Sequence, residues 1–196
     1  MIRRFRLPLL AASLLAFPVA GAAQEHAHAQ AAAPTTVIVV RHAEKSTADP
    51  ADRDPGLDAA GQARARALAA AIGGAGVDAV ITTQFKRTRM TAQALADSLH
   101  LTPEVVAAGG ASHVADVAAA VRKHAGHTVL VVGHSNTVPA IIAALGGPRL
   151  ADLCDSQYAD MFVLVMDGST QPALIRSTYG TPSPAPGPEC TPAMRQ

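Results

Sequence analysis

The chain has 196 residues, 49% of them hydrophobic, 16% charged and 3% aromatic, a balance too apolar and too weakly charged for a disordered polymer. Sixteen Lys and Arg against 15 Asp and Glu give a formal charge of +1, so no field of one sign is available to hold nucleic acid or an anionic membrane. No apolar run reaches the ~20 residues that span a bilayer and no repeat of solenoid length is present, which predicts a single globular domain without stable membrane insertion.

The first 23 residues have the layout of a secretory signal peptide. Arg3, Arg4 and Arg6 precede a stretch from Leu7 to Ala20 that is apolar apart from Ser13 and two prolines, and Gly21-Ala22-Ala23 supplies small residues for cleavage. The expectation is an exported protein, periplasmic or secreted, cut near Ala23. No cysteine follows the apolar run, which argues against a lipid anchor. Residues 24–34, rich in Ala, Gln and His, read as a flexible linker, with His26 and His28 belonging to it rather than to a metal site.

The domain proper is expected over residues 35–180. Thr35 to Val40 (TTVIVV) is β-branched, continuous and too short for a helix, the character of a strand buried on both faces. Asp78 to Thr83 and Thr128 to Val132 repeat it, and Met161 to Met166 with Ala173 to Ser177 add two more strand candidates. Amphipathic stretches lie between them. Asp58 to Ile72 begins with a candidate N-cap, places Ala65, Leu68 and Ile72 on one face with Arg64 and Arg66 elsewhere, and stops at Gly73-Gly74. Lys86 to Leu99, Ser112 to His124 and Asn136 to Leu145 are the other helices. Buried strands alternating with amphipathic helices predict a three-layer α/β/α sandwich with a largely parallel central sheet.

The last segment, 181–196, is a proline-rich tail that can form neither helix nor central strand. In an oxidising compartment Cys154 and Cys190 are expected to pair, pinning that tail to the domain. Closing a loop of about 36 residues would stabilise by about 3 to 4 kcal/mol on the chain-entropy model. The alternative is two reduced thiols, one of them in the tail.

In parallel sheets, ligands bind beyond the carboxyl ends of the strands. Strand one runs directly into Arg41-His42, strand two stops just before Lys86 and Arg87, and strand three ends in Gly133-His134-Ser135-Asn136. One edge therefore collects two imidazoles and two guanidiniums, with few carboxylates nearby in sequence. Guanidinium forks match tetrahedral oxyanions, which makes this edge a phosphate-site candidate. A neutral imidazole beside a phosphoryl group whose charge the arginines neutralise is a competent nucleophile. Phosphoryl transfer to histidine follows as the expected chemistry. No cofactor is implied, and a metal on His42, Glu44 and His134 is disfavoured because the flanking arginines would repel a cation.

Arg41-His42-Ala43-Glu44-Lys45 resembles the RHG-type signature of the histidine phosphatase (phosphoglycerate-mutase-like) superfamily. Leu57 to Ala65 resembles that family's first helix, Thr82 to Ala92 its serine-serine, arginine, threonine-alanine segment, and Gly133-His134-Ser135-Asn136 its second histidine motif. The resemblance implies that His42 becomes phosphorylated while Arg41, Arg87 and His134 bind the phosphate. Ala43 stands where the family usually has glycine, a small change. A larger departure is the general acid. The family's glutamate normally lies just beyond the strand after the arginine helix, and here Val105 to Ala111 carries no carboxylate. Glu104 is expected at the wrong end of that strand, His113 and Asp155 would need favourable loops, and the acid stays unassigned. Such sites suit leaving groups that need little protonation, anhydrides and phosphoramidates among them. The substrate expected is thus a phosphorylated small molecule or a phosphoprotein.

Two rival readings stand beside this one. Ser135 in a strand-to-helix turn looks like an acyl-transfer nucleophile, but that chemistry needs a later histidine and none follows His134. The other is a phosphate-binding or sensing protein of the same fold, whose missing acid has abolished turnover. Glu44 and Lys45 read as solvated loop charges, and His100, His124 and His127 as unpartnered surface.

Overall fold

The computed structural model describes residues 33–185 together with Gly187 and Cys190, so the expected signal peptide and most of the linker lie outside the described residues. The elements run in the order β1 (Thr35–Arg41), α1 (Ala59–Ile72), β2 (Val77–Thr82), α2 (Lys86–Ser98), β3 (Glu104–Val105), α3 (His113–Lys123), β4 (Thr128–Gly133), α4 (Thr137–Ala144), β5 (Asp160–Met166) and β6 (Ala173–Thr178). The strands form one sheet ordered β3-β2-β4-β1-β5-β6. β1, β2, β3 and β4 pair in parallel, while β5 runs antiparallel to β1 and β6 antiparallel to β5.

The sheet is covered on both faces, and the central positions of its inner strands are apolar on both sides. Val37, Val39, Ala79, Ile81, Val129 and Val131 pack with residues of α3 and α4 in one cluster. Their alternates Ile38, Val40, Val80, Leu130 and Val132 pack with residues of α1 and α2 in the other. Leu68 of α1 is fully buried there, so Leu68→Ala would cost about 2 to 5 kcal/mol.

Helix α1 starts where its cap requires. The Asp58 carboxylate accepts the Gly61 amide at 2.8 Å, satisfying one of the first-turn donors. Gly61 is needed there, since a Cβ would collide with the backbone of Glu44 just past the end of β1. The Asp58 amide donates to the Glu44 carbonyl at 3.1 Å and Ser46 to Gly56 at 2.9 Å, closing the intervening loop at its base. The helix is therefore fastened to the strand exit that carries Arg41 and His42. One expectation is corrected here. Arg64 does not point away from the core face but is 6% exposed, for a reason that lies at the site.

Candidate active site

β1 and β4 are neighbours in parallel register, with Arg41 opposite Gly133. The residues that follow them, His42 and His134, emerge side by side, and the His42 amide donates to the Gly133 carbonyl at 2.9 Å. Their ring centroids are 5.3 Å apart at an interplanar angle of 64°. Sheet order thus brings together two residues separated by 91 others in the sequence.

Each ring has a partner that sets its chemistry. His42 Nδ1 lies 2.8 Å from the Ala43 carbonyl, which can only accept, so Nδ1 carries the proton and Nε2 keeps its lone pair. Burial lowers the pKa of His42 from 6.5 to about 4, with Arg41, Arg87 and Lys45 acting in the same direction and the Ala43 hydrogen bond opposing them. Burial likewise lowers His134 to about 3, reinforced first by Arg87. Both imidazoles are neutral near pH 7, and that is the form required of a nitrogen nucleophile.

The His134 tautomer follows from a chain of hydroxyls. Thr88 Oγ1 spends its one proton on a carbonyl, Phe85 O at 2.9 Å or Thr83 O at 3.1 Å, so it accepts from Thr83 Oγ1 at 2.9 Å. Thr83 Oγ1 is then an acceptor for His134 Nε2 at 3.3 Å. His134 accordingly holds its proton on Nε2 and donates it to Thr83 Oγ1 until another acceptor displaces that hydroxyl.

The two guanidiniums are held differently. Arg87, at the start of α2, stacks on the Phe85 ring at 4.2 Å and faces the Asp54 carboxylate at 4.0 Å. Asp54 also accepts the Lys86 amide at 2.9 Å, serving as a remote cap for a helix whose own N-cap position, Phe85, has none. Arg41 is buried, its Nη1 occupied by backbone carbonyls and its Tyr158 neighbour stacked at 4.1 Å. Its Nε is buried without a partner among the described residues. A buried, unsatisfied charged donor beside two neutral imidazoles is what an oxyanion would satisfy.

Glu44 is not a solvated charge. Its carboxylate takes three hydrogen bonds from Arg64, at 2.7 to 3.0 Å, and Arg64 also donates to the Tyr179 carbonyl at 3.1 Å. Burial alone would raise the Glu44 pKa, but those bonds outweigh it and hold the carboxyl below its ordinary range. Lys45 is exposed, as expected of a loop charge. His124 and His127 are not unpartnered, lying 3.7 Å from Glu104 and 3.4 Å from Asp78.

The residues considered for the general acid are scattered. Glu104 pairs with Ile81 in β3, one position before Val105 and Thr82, and reaches Lys123 and His124. Asp155 touches Arg41 Nη2 at 3.4 Å with its side chain fully in solvent. His113 is buried, its Nδ1 3.0 Å from the Ala107 carbonyl. Cys154 and Cys190 are joined in a disulfide. Sequence reasoning missed Asp54, Tyr158 and the Glu44–Arg64 pair. For Asp54 the available signal was an acidic residue ahead of a helix that lacks its own cap.

A parallel-sheet edge bearing paired histidines and two arginines makes this an α/β protein with a candidate oxyanion site. Residues 37–108, which include Arg41, His42 and Arg87, match the family model of the histidine phosphatase superfamily, branch 1. Over that segment the chain is similar to this superfamily. No curated protein sequence matches it. Among solved structures it is similar to the protein histidine phosphatase SixA complexed with tungstate, at 18% identity and a TM-score of 0.57 over 73% of this chain and 96% of that one. A Nakamurella multipartitia protein assigned to the SixA phosphohistidine phosphatases is 26% identical, with a TM-score of 0.51 over 77% and 98%. The mycobacterial glucosyl-3-phosphoglycerate phosphatase Rv2419c is 18% identical, with a TM-score of 0.52 over 72% and 97%.

Proposed function

We propose that the protein is a phosphatase that works through a phosphohistidine on His42. One observation carries this reading: the fixed Nδ1–H of His42 leaves a neutral Nε2 nucleophile 5.3 Å, ring to ring, from the donor imidazole of His134. In the first step Nε2 bonds to phosphorus as the bond to the leaving group breaks and the leaving group departs with that electron pair. Arg41, Arg87 and His134 would hold the phosphoryl oxygens as charge spreads over them. In the second step water attacks phosphorus, the P–N bond breaks, the electron pair returns to Nε2, and inorganic phosphate leaves.

The substrate class we favour has a leaving group that needs little protonation, a phosphoramidate or phosphoanhydride. The loop after β3 offers no carboxylate, Glu44 is engaged by Arg64, and Asp54 is engaged by the α2 amide. Two of the structural neighbours are a protein histidine phosphatase and an assigned phosphohistidine phosphatase, which lends weight to a phosphohistidine substrate. We further propose that the protein is exported, on the strength of its Arg-rich start, the apolar run behind it and the Cys154–Cys190 bridge.

A panel of phosphohistidine, acyl phosphate, pyrophosphate and alkyl phosphate compounds, run against wild type and His42→Ala with rapid acid-free quench, tests the reaction. The expected result is turnover of the first classes, acid-labile phosphate on wild type and none on His42→Ala. Full activity in His42→Ala would reject the mechanism. Oxyanion binding without turnover of any compound would favour the sensing protein, which the missing acid also suits. Amino-terminal sequencing of the protein recovered from cell fractions tests export.

A further inference from the structure

Arg41 is held by a single stretch of chain. Its Nη1 donates to the carbonyls of Cys154 at 2.7 Å, Asp155 at 3.2 Å and Gln157 at 3.2 Å. Its Nη2 reaches the Tyr158 hydroxyl at 3.3 Å and Asp155 Oδ1 at 3.4 Å. Nothing in 154–158 is strand or helix, so no ladder of its own fixes where those carbonyls stand.

The stretch is instead tied down from outside. Gln157 closes it locally, with its amide on the Cys154 carbonyl and its Oε1 accepting the Cys154 amide, both at 2.9 Å. The Ser183 hydroxyl accepts the amides of Tyr158 and Ala159, each at 2.9 Å. The covalent tie is the Cys154–Cys190 disulfide. Cys154 therefore supplies both the bridge sulfur and the shortest acceptor for Arg41.

We propose that the Cys154–Cys190 disulfide is a positioning device for the phosphate arginine, so that oxyanion affinity depends on the bridge being closed. This rests on the reading that Arg41 binds the substrate phosphate. With three carbonyls fixing Nη1 and the Tyr158 hydroxyl and Asp155 on Nη2 at longer range, Nε is left to meet an oxyanion, and the guanidinium is set before the ligand arrives. Opening the bridge takes two electrons and leaves two thiols: a dithiol supplies the electrons and both protons and becomes a disulfide, whereas a phosphine supplies the electrons and becomes its oxide, with water giving the oxygen and both protons. The tail is then released, the 154–158 carbonyls sample other positions, and the binding edge of Arg41 is no longer held. A misplacement of about 1 Å in such a contact suffices to cost a large factor. The device suits a protein that works where disulfides persist.

The test is tungstate affinity, measured by calorimetry on the full chain as wild type, Cys190→Ala, Arg41→Ala and the double variant, well below each unfolding temperature. Cys190→Ala leaves residues 154–158 unsubstituted and changes no group at the phosphate site. The expected result is a loss of about tenfold in Cys190→Ala and no further loss when Cys190→Ala is added to Arg41→Ala. A general loosening of the fold would weaken binding equally in both backgrounds. Where Cys190→Ala does not fold, folded wild type opened with a phosphine and then reoxidised gives the same comparison, with affinity falling and returning. Unchanged affinity on opening the bridge, an equal loss in the Arg41→Ala background, or no tungstate binding by oxidised wild type would each overturn the proposal. Binding that follows the expected pattern in a chain that hydrolyses no phosphorylated compound would uphold the device and reject the phosphatase.

Discussion

Ala43 donates its backbone N–H to Thr91 Oγ1 at 2.9 Å, and the same hydroxyl donates to the Arg87 carbonyl at 2.7 Å. A single threonine therefore joins the residue after His42 to the helix turn that carries Arg87. Ala43 and Thr91 are buried, as are Thr88, Ala92 and Leu95 of α2, so water cannot substitute for either bond. The shape of the pocket is fixed across two elements that are far apart in sequence.

Thr91→Val removes the hydroxyl while keeping the branched shape. It leaves the Ala43 amide buried and unpaired, at a cost of about 1 to 3 kcal/mol in urea unfolding. Thr91→Ser should recover most of that loss. Turnover should drop in the valine variant and stay near wild type in the serine one, because only the former frees the His42 backbone relative to Arg87. Equal stability of the valine variant and wild type would show the bond to be dispensable.

The imidazoles of His42 and His134 should both stay neutral well into acid. With His42 lowered to about 4 and His134 to about 3, neither ring should take up a second proton by NMR between pH 8 and about 5. Nδ1 of His42 should report as the protonated nitrogen throughout, given its bond to the Ala43 carbonyl. Titration of either ring near the ordinary value of about 6.5 would mean that the site is wetter than its burial implies.

The same depression makes the fold acid-sensitive. The unfolded chain protonates these rings first as pH falls, so the stability they contribute is fully present above about 6.5. It is lost as pH drops through His42's value of about 4 and His134's of about 3. A depression of about 2.5 units corresponds to about 3 kcal/mol for His42. Between pH 7 and 4.5 the unfolding free energy of His42→Ala should therefore fall by about 2 kcal/mol less than that of wild type. Parallel curves for the two proteins would contradict the lowered pKa.

The strands and helices were legible because each writes its own periodicity: β-branched runs for β1, β2 and β4, and apolar spacing plus the Asp58 cap for α1. The pairing of His42 with His134 was legible in part, since both close a buried strand. What stayed hidden depends on the third dimension alone. Arg64 and Glu44 are polar residues on a helix and in a loop, 20 positions apart, and only the docking of α1 against the strand exit buries them together. Tyr158 lies in a stretch without periodicity or turn signature, so its stacking on Arg41 left no trace in the sequence. The antiparallel course of β5 and β6 was equally silent, because a short strand's residue pattern carries no direction.

The Glu44–Arg64 pair offers the sharpest test of packing at the site. Arg64 has 5% side-chain exposure and Glu44 20%, so the pair is largely out of water. Removing one member of a buried pair strands the other, which costs more than the pair itself contributes. Arg64→Ala should destabilise by about 3 kcal/mol, while Glu44→Gln, which keeps a hydrogen-bonding side chain, should cost less. The Glu44 carboxyl is held below its ordinary range, so its contribution is present above the unfolded carboxylate pKa and is lost as pH falls through the folded one. Arg64→Ala should therefore be closest to wild type in acid and furthest from it near neutrality. Because Gly61 seats α1 directly on the Glu44 backbone, amide exchange at Gly61 and Asp58 should quicken in Arg64→Ala before exchange in β4 does. Uniform quickening across the sheet would show that the pair supports the whole domain rather than the fastening of α1 to the strand that ends in Arg41 and His42.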